Sequence, residues 1–312
     1  MPAAGEMQTV IIVSGASGSF GRQAAELLIE AVDPRSLILT SRTPGKLIDM
    51  AERGAQVRYA DFDDPASLEA AFAGGTRMLL ISTARVGTRV GQHVNAMTTA
   101  VAAGVRHIAY TSIISADAPG NPAIVKLDHR ATEEALERSG AAWTFLRDSQ
   151  YAEAIAGAMV PGALATGRLP DNAHQGRIAF VSRDDCVAVA AAVLRQDGHE
   201  NQAYDLTGPE TWTIPQALQL AAEMANRPIE VVPVDDEGMF RHFDTLGIPR
   251  HASDDAIAGP IPWCSEDMVT FGQSIREGYF DKRTDHVERI TGRKPKTLRT
   301  VMEAYRHTWP GA

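Results

Sequence analysis

The chain has 312 residues, room for about two domains at the usual ~150 residues each, with a core large enough to need no covalent staples. Thirty Lys and Arg against 39 Asp and Glu give a formal charge of −9, and no basic cluster dominates any stretch, which argues against a nucleic-acid surface. Two cysteines, Cys186 and Cys264, exclude a disulfide framework or a cysteine-rich zinc site and suit a reducing, cytoplasmic setting. The most apolar run, Cys186 to Leu194, falls far short of the ~20 residues that span a bilayer, and MPAAGEMQ lacks the features of a signal peptide. A soluble protein with no membrane partner is expected.

Strands and helices alternate from the start. Thr9 to Val13 reads as a β-branched strand that runs into a glycine-rich turn, followed by a helix from Phe20 to Ala31. Leu37 to Thr40 is the second strand, Leu47 to Arg53 a helix, Gln56 to Ala60 the third strand and Pro65 to Phe72 a helix. Met78 to Ser82 follows as a strand, then Gly91 to Ala103 as a helix, His107 to Thr111 as a strand, Ile124 to Ser139 as a helix and Trp143 to Arg147 as the sixth strand. Short apolar strands alternating with helices imply an α/β fold with a doubly wound parallel sheet of the Rossmann type, because right-handed crossovers cover both faces.

After Tyr151 the alternation breaks at PGALATGRLPDNAHQGRIAF, rich in glycine and proline. A helix from Asp184 to Leu194 and a strand from Ala203 to Thr207 are then expected to rejoin the sheet. A helix over Thr213 to Asn226, capped by Thr211 or Thr213, leads into an irregular tail with a strand at Ile229 to Val234 and helices near Glu237 to Leu246, Glu266 to Phe280 and Lys296 to His307. Residues 1–155 are expected to form a dinucleotide domain and 156–312 a smaller C-terminal substrate lobe, with 184–208 returning to the sheet.

The turn SGASGSFG places Gly15, Gly18 and Gly21 between the first strand and the first helix. The first glycine permits the tight turn, the second lets backbone approach a pyrophosphate and the third lets the helix pack closely. Ser17, Ser19 and Phe20 belong to the same candidate cradle. At the end of the second strand an NAD-binding domain carries Asp or Glu for the ribose hydroxyls, but LILTSRTPGK supplies Ser41, Arg42 and Lys46, which suit the 2′-phosphate of NADPH. Asp61, Phe62 and Asp63 leave the third strand where an adenine edge should lie, and Ser82 and Thr83 leave the fourth near the ribose and nicotinamide.

These segments, with AAGVRHIAYTS, LDHRATEEALERSGAAWTFLR, FVSRDDCVAVAA and YDLTGPETWT, make the chain similar to the NmrA-like atypical short-chain dehydrogenases. It resembles in particular the bacterial NADPH-dependent quinone reductases of that family, and more distantly the pinoresinol, isoflavone and phenylcoumaran benzylic ether reductases. The resemblance implies hydride transfer from NADPH to a small aromatic substrate, with a homodimer as a candidate assembly. The Tyr-x-x-x-Lys pair of most short-chain dehydrogenases is missing: Tyr110 lies inside the fifth strand, and Tyr151 is followed four residues later by Ile155.

In the ether reductases a lysine 11 residues before the glycine of the S-G-x-x-[YW]-T segment assists proton transfer, and that position here is His129. Lys126, one turn earlier, is a partial substitute. For His129 two readings stand: a hydrogen-bonding or proton-donating group, or a solvated basic residue on an exposed helix. Thr111 and Ser112 end the fifth strand, where Ser112 either lines the nicotinamide pocket or caps backbone. Gln150 and Tyr151 follow the sixth strand as a lid over the cofactor, with lobe packing the competing reading of Tyr151. Trp263 and Cys264 lie in GPIPWCSED, which together with PGALATGRLP suggests pocket walls, although packing alone would account for both residues. His242, His251 and His286 lack metal-ligand spacing, so no metal is expected. An ether reductase and a dinucleotide-binding redox sensor without turnover are the rival functions.

Overall fold

The computed structural model of the chain describes residues 9–252 and 263–311. A central sheet of seven parallel strands holds β1 (Ile11–Val13), β2 (Leu37–Ser41), β3 (Gln56–Tyr59), β4 (Arg77–Leu80), β5 (His107–Ile113), β6 (Ala142–Asp148) and β8 (Gln202–Leu206), in the spatial order β3-β2-β1-β4-β5-β6-β8. The order reverses beside β1, and ligands of such sheets bind outside the strand ends at that switch point. β1 and β2 are buried at every position, as a strand covered on both faces requires.

On one face lie α1 (Ser19–Ala31), α8 (Arg183–Arg195) and α12 (His286–Thr291), whose Leu28, Val189 and Ile290 share a core with Val13 and Leu39. On the other lie α3 (Pro65–Phe72), α4 (Arg89–Ala102) and α5 (Val125–Glu137), which bury Phe72, Met97 and Leu136 against Met78 and Tyr110. The short α2 (Ile48–Glu52) joins β2 to β3.

A separate core is built by α6 (Ala152–Ala154), α7 (Val160–Thr166), α9 (Ile214–Ala225), α11 (Ser265–Arg276) and α13 (Leu298–Tyr305), around Ile155, Leu218, Phe280 and Met302. A two-stranded parallel sheet of β7 (Arg168–Asp171) and β9 (Glu230–Pro233) borders it, followed by α10 (Asp236–Thr245). The α9 start carries a full capping box: Thr213 receives the Gln216 N–H and Gln216 receives the Thr213 N–H.

The chain is helical from Ala152 to Thr166, so only the start of the glycine- and proline-rich stretch forms helix, and the rest of it is β7 and irregular chain up to α8. α6 and α7 are joined by a π-turn over Ile155–Met159, in which the Val160 N–H bonds the Ile155 carbonyl. The next such bond would need an N–H on Pro161, and the indole N–H of Trp309 donates instead to the orphaned Ala156 carbonyl at 2.8 Å. Gly157 is required because a Cβ there would stand 2.9 Å from the Tyr305 ring. β7 and α12 are also absent from the sequence-based pattern.

Candidate functional site

The ends of β1, β2 and β4 to β6 meet around the glycine-rich turn. Gly15 adopts φ +59°, a left-handed conformation. A Cβ on Gly21 would lie 2.5 Å from the Gly15 carbonyl oxygen and 2.8 Å from Ala16 Cα, so glycine alone permits α1 to start where it does. Gly18 is exposed, and the helix opens on it without a side-chain cap or an acidic first turn. Free N–H groups at such a start suit an anion. Ser19 is exposed there too, whereas the Phe20 ring is buried in the sheet core and offers only its backbone.

Three hydroxyls converge where the turn meets β2. Ser17 Oγ lies 2.7 Å from Ser41 Oγ and 3.3 Å from Thr43 Oγ1, and Ser41 Oγ accepts the Thr43 N–H at 2.9 Å. Arg42 and Lys46 stand exposed beside this cluster, with no ion pair to any described residue. The Lys46 carbonyl is held by Arg22 Nη1 of α1 at 3.0 Å, and Arg22 also pairs with Asp49. Just past the end of β3, Asp61 accepts the Asp63 N–H, while Asp63 is engaged by Arg85 at 3.0 Å and by Gln92 at 2.7 Å. The Phe62 carbonyl takes the Asn95 amide. Asp63 is therefore tied to the β4 side rather than free.

At the ends of β4 and β5, Thr111 Oγ1 accepts the Ser82 N–H at 2.8 Å, and the Thr83 N–H donates to Nε2 of His93 at 3.1 Å. Burial beside Arg89 pushes His93 down to about 3, so it is neutral. Tyr110 meets Nδ1 of His129 at 2.9 Å. His129 is 5% exposed, which eliminates the solvated reading of it. Burial foremost, then Arg89 and His93, hold it well below the usual imidazole range. The Lys126 ammonium points elsewhere: it donates to the carbonyls of Ala118 at 2.8 Å and Pro119 at 3.3 Å, anchoring the segment after β5.

Ser112 donates to the buried Glu133 at 2.7 Å, and Arg147 grips both oxygens of that carboxylate at 2.9 and 2.8 Å. That network spans β5, β6 and α5, and the Ser112 hydroxyl is committed to it. At the end of β6, Tyr151 donates to Asp148 at 2.5 Å, with the Arg183 guanidinium over its ring at 5.4 Å. Among the described residues, Ser149 and Gln150 each bury a side-chain oxygen without a hydrogen-bond partner, and the second Asp148 oxygen is faced only by the Cys186 thiol. Trp263 packs edge-on against Phe243 at 5.7 Å, and residues 259–262 of its segment lie outside the described residues.

The composition gives no sign of Glu133, Arg147, His93 or Asp148. A carboxylate in a polar helix and an arginine near the end of a strand read as surface groups until the fold brings them together.

A Rossmann sheet with this turn, this strand order and these unfilled donors and acceptors defines a dinucleotide-binding protein. The family model described as NAD(P)H-binding matches residues 15–197, and the chain belongs to that family. It is 34% identical over 245 residues to quinone oxidoreductase 2 of Escherichia coli, covering 78% of this chain and 85% of that protein. The structure of the NADPH-dependent quinone oxidoreductase of Escherichia coli complexed with NADPH superimposes with a TM-score of 0.85 at 30% identity, over 96% of this chain and 99% of that one. The triphenylmethane reductase of Citrobacter sp. complexed with NADP(H) does so with 0.81 at 28% identity, over 95% and 99%. The family resemblance seen in the motifs agrees with these findings.

Proposed function

We propose that the chain is an NADPH-dependent reductase that delivers hydride to a quinone or related electron-poor aromatic. The observation that carries the cofactor choice is the end of β2, where Arg42 and Lys46 are exposed beside three hydroxyls and no carboxylate occurs from Leu37 to Ile48. Charge-assisted bonds from those cations suit a 2′-phosphate, and an acid that would accept the ribose hydroxyls of NADH is missing. The turn from Gly15 to Gly21 is assigned to the pyrophosphate, Asp61 and Phe62 to the adenine edge, with Asp63 held back by Arg85 and Gln92, and Ser82, Thr83 and Thr111 to the ribose and nicotinamide side, with Ser112 behind them on Glu133. When bound, the nicotinamide supplies the hydride.

Quinone reduction suits what the chain offers. A hydroquinone anion is stabilised by resonance and takes its proton from water, so a strong protein acid is unnecessary. His129, neutral and buried, suits hydrogen bonding better than proton donation, and Lys126 is occupied by carbonyls. Both observations weigh against an ether reductase, which needs an acid at one of those positions. The E. coli relative named as a quinone oxidoreductase and the Citrobacter relative named for triphenylmethane reduction both support aromatic hydride acceptors. Residues 156–312 with Gln150, Tyr151 and Trp263 are assigned to the substrate side, and a cytoplasmic homodimer is the assembly assigned to the chain.

The test is NADPH oxidation against a panel of quinones, enones and aryl ethers. Turnover confined to the quinones supports the assignment. NADPH binding without turnover on any acceptor favours a redox-sensing regulator instead.

A further inference from the structure

The buried face of α4 changes character along its length. Positions 89, 92, 93, 96, 97 and 100 recur at helical spacing, and all six are buried. Ala96, Met97 and Ala100 pack into the sheet core, whereas the first two turns bury Arg89, Gln92 and His93. These polar groups, with Asn95, meet the segments that leave β3 and β4. Thr83 is held at each of its polar atoms: its N–H donates to His93 Nε2 at 3.1 Å, its carbonyl accepts from Arg89 at 2.9 Å, and its hydroxyl donates to Gln92 Oε1 at 2.6 Å. On the other side, Gln92 Nε2 donates to Asp63 at 2.7 Å and Asn95 donates to the Phe62 carbonyl at 3.0 Å.

The orientation of the Gln92 amide is set at both ends. Asp63 pairs with Arg85 at 3.0 Å, and a carboxylate only accepts, so the amide nitrogen must face it. The amide oxygen then faces Thr83, whose hydroxyl has to be the donor. One buried side chain, 7% exposed, thus joins the two segments. No strand ladder does so: β3 and β4 are separated in the sheet by β2 and β1, a span of about 14 Å at ~4.8 Å per interval. The Arg85 pair with Asp63 also links the segments, but its side chains are 30% and 49% exposed, so solvent screens it.

We propose that Gln92 is a positioning residue of the nucleotide site: it sets the spacing between the segment after β3, assigned to the adenine edge, and the segment after β4, assigned to the ribose and nicotinamide side. The inference rests on the NADPH assignment and adds the residue that spaces its two halves. A site held at the right separation before binding spends no affinity on ordering itself, so each half of a dinucleotide that reaches across both segments gains. Both ends of the Gln92 amide are taken, so the residue acts through Asp63 and Thr83. Among the described residues it makes no bond to the Ser17, Ser41 and Thr43 cluster, so it has no part in recognising the 2′-phosphate.

Binding to the intact protein tests this with two probes, adenosine 2′-monophosphate for the adenine half and reduced nicotinamide mononucleotide for the other. Gln92→Met keeps the side-chain length and removes both bonds. It should raise both dissociation constants about tenfold, while the preference for NADPH over NADH stays within about twofold of wild type. Gln92→Glu sets a carboxylate against Asp63. It should cost about tenfold on both probes, but no more than about threefold in an Asp63→Asn background, where an amide again faces a carboxylate. A residue that only fills space would show the same cost in both backgrounds. Unchanged constants, a loss confined to one probe, a moved NADPH preference or equal costs of Gln92→Glu in the two backgrounds overturn the proposal. If Gln92→Met does not fold, the Gln92→Glu comparison decides alone. A wild type that binds neither NADPH nor either probe removes the nucleotide reading itself, and this inference with it, before any variant is compared.

Discussion

The hydroxyls of Ser17 and Ser41 stand 2.7 Å apart across 24 residues of sequence. This contact fixes the strand end assigned to the cofactor's 2′-phosphate against the turn assigned to its pyrophosphate. Ser41 is 4% exposed, so it acts by holding the turn and Thr43 in place, while Arg42 and Lys46 are the groups free to meet a ligand.

Cofactor preference should follow from that division of labour. Bonds to charged groups contribute about 1.5 to 3 kcal/mol, so NADPH should bind roughly 10 to 100 times more tightly than NADH. Ser41→Asp with Arg42→Ala should erase or invert the preference, since a carboxylate beside Ser17 can accept from ribose hydroxyls and repels a phosphate. Dissociation constants for both cofactors at one ionic strength are the measurement, because exposed charge contacts are screened by salt. Equal wild-type affinities would show that Arg42 faces solvent.

Arg22 should matter to NADPH alone. It holds the Lys46 carbonyl and is neutralised by Asp49 and by Glu26 at 3.3 Å. Exposed pairs of this kind add only about 0 to 1 kcal/mol to stability. Arg22→Gln should therefore leave the melting temperature nearly unchanged, yet loosen the segment that carries Lys46 and raise the NADPH dissociation constant about three- to tenfold. Titrations with NADPH and NADH check it, and matching losses for the two would place Arg22 in general nucleotide binding.

Two glycines of the turn should separate binding from folding. Gly18 has an ordinary φ of −79°, and a Cβ there would approach only the Gly15 carbonyl, at 3.3 Å. Gly18→Val should keep the fold and abolish NADPH binding, because the side chain occupies the space assigned to the pyrophosphate. Gly21→Ala should instead destabilise the protein by about 1 to 3 kcal/mol or more, since its Cβ would press on backbone at 2.5 and 2.8 Å. Calorimetric titration of the first variant and urea unfolding of the second are the checks. Wild-type affinity in Gly18→Val would remove the cofactor from this turn.

The first half of the fold was legible because each strand is a short apolar run bounded by turn residues. Pro65–Phe72 falls where the pattern placed it, and the other strands and helices up to Asp148 differ by a few residues at their ends. The second half was less so, since its helices tolerate residues that local rules exclude. Pro161 and Gly157 sit in a helix only because Trp309 and Tyr305, about 150 residues later, supply the missing donor and the packing. The glycine turn and Arg42 could be read as a cofactor site from spacing alone. The burial of His129 could not, because Leu127 and Arg130 beside it look like the exposed face of a polar helix. Its environment comes from Tyr110 and His93, on two other elements.

Asp148 should give the stability curve a distinctive pH dependence. Its carboxyl is buried at the end of β6, bound by the Tyr151 hydroxyl and faced by the Cys186 thiol. Burial pushes it up to about 7, against lesser downward pulls from the Tyr151 hydroxyl and the Cys186 thiol, compared with an ordinary 3.8. Between about pH 4 and 7 the folded chain keeps a proton that the unfolded chain has released. The contribution of this group is therefore fully present below pH 4 and is lost as pH rises through 7. At about 1.4 kcal/mol per unit, the whole effect is on the order of 4 kcal/mol. His93, pushed down to about 3, has the opposite slope between its folded and ordinary values, and it cancels when two variants are compared. Asp148→Asn keeps an acceptor for Tyr151 and cannot ionise. Relative to wild type, it should gain on the order of 1 to 4 kcal/mol in unfolding free energy between pH 4.5 and 8. Urea unfolding of both proteins at the two pH values measures this difference, and parallel behaviour would mean that Asp148 is already ionised in the folded chain at the lower pH.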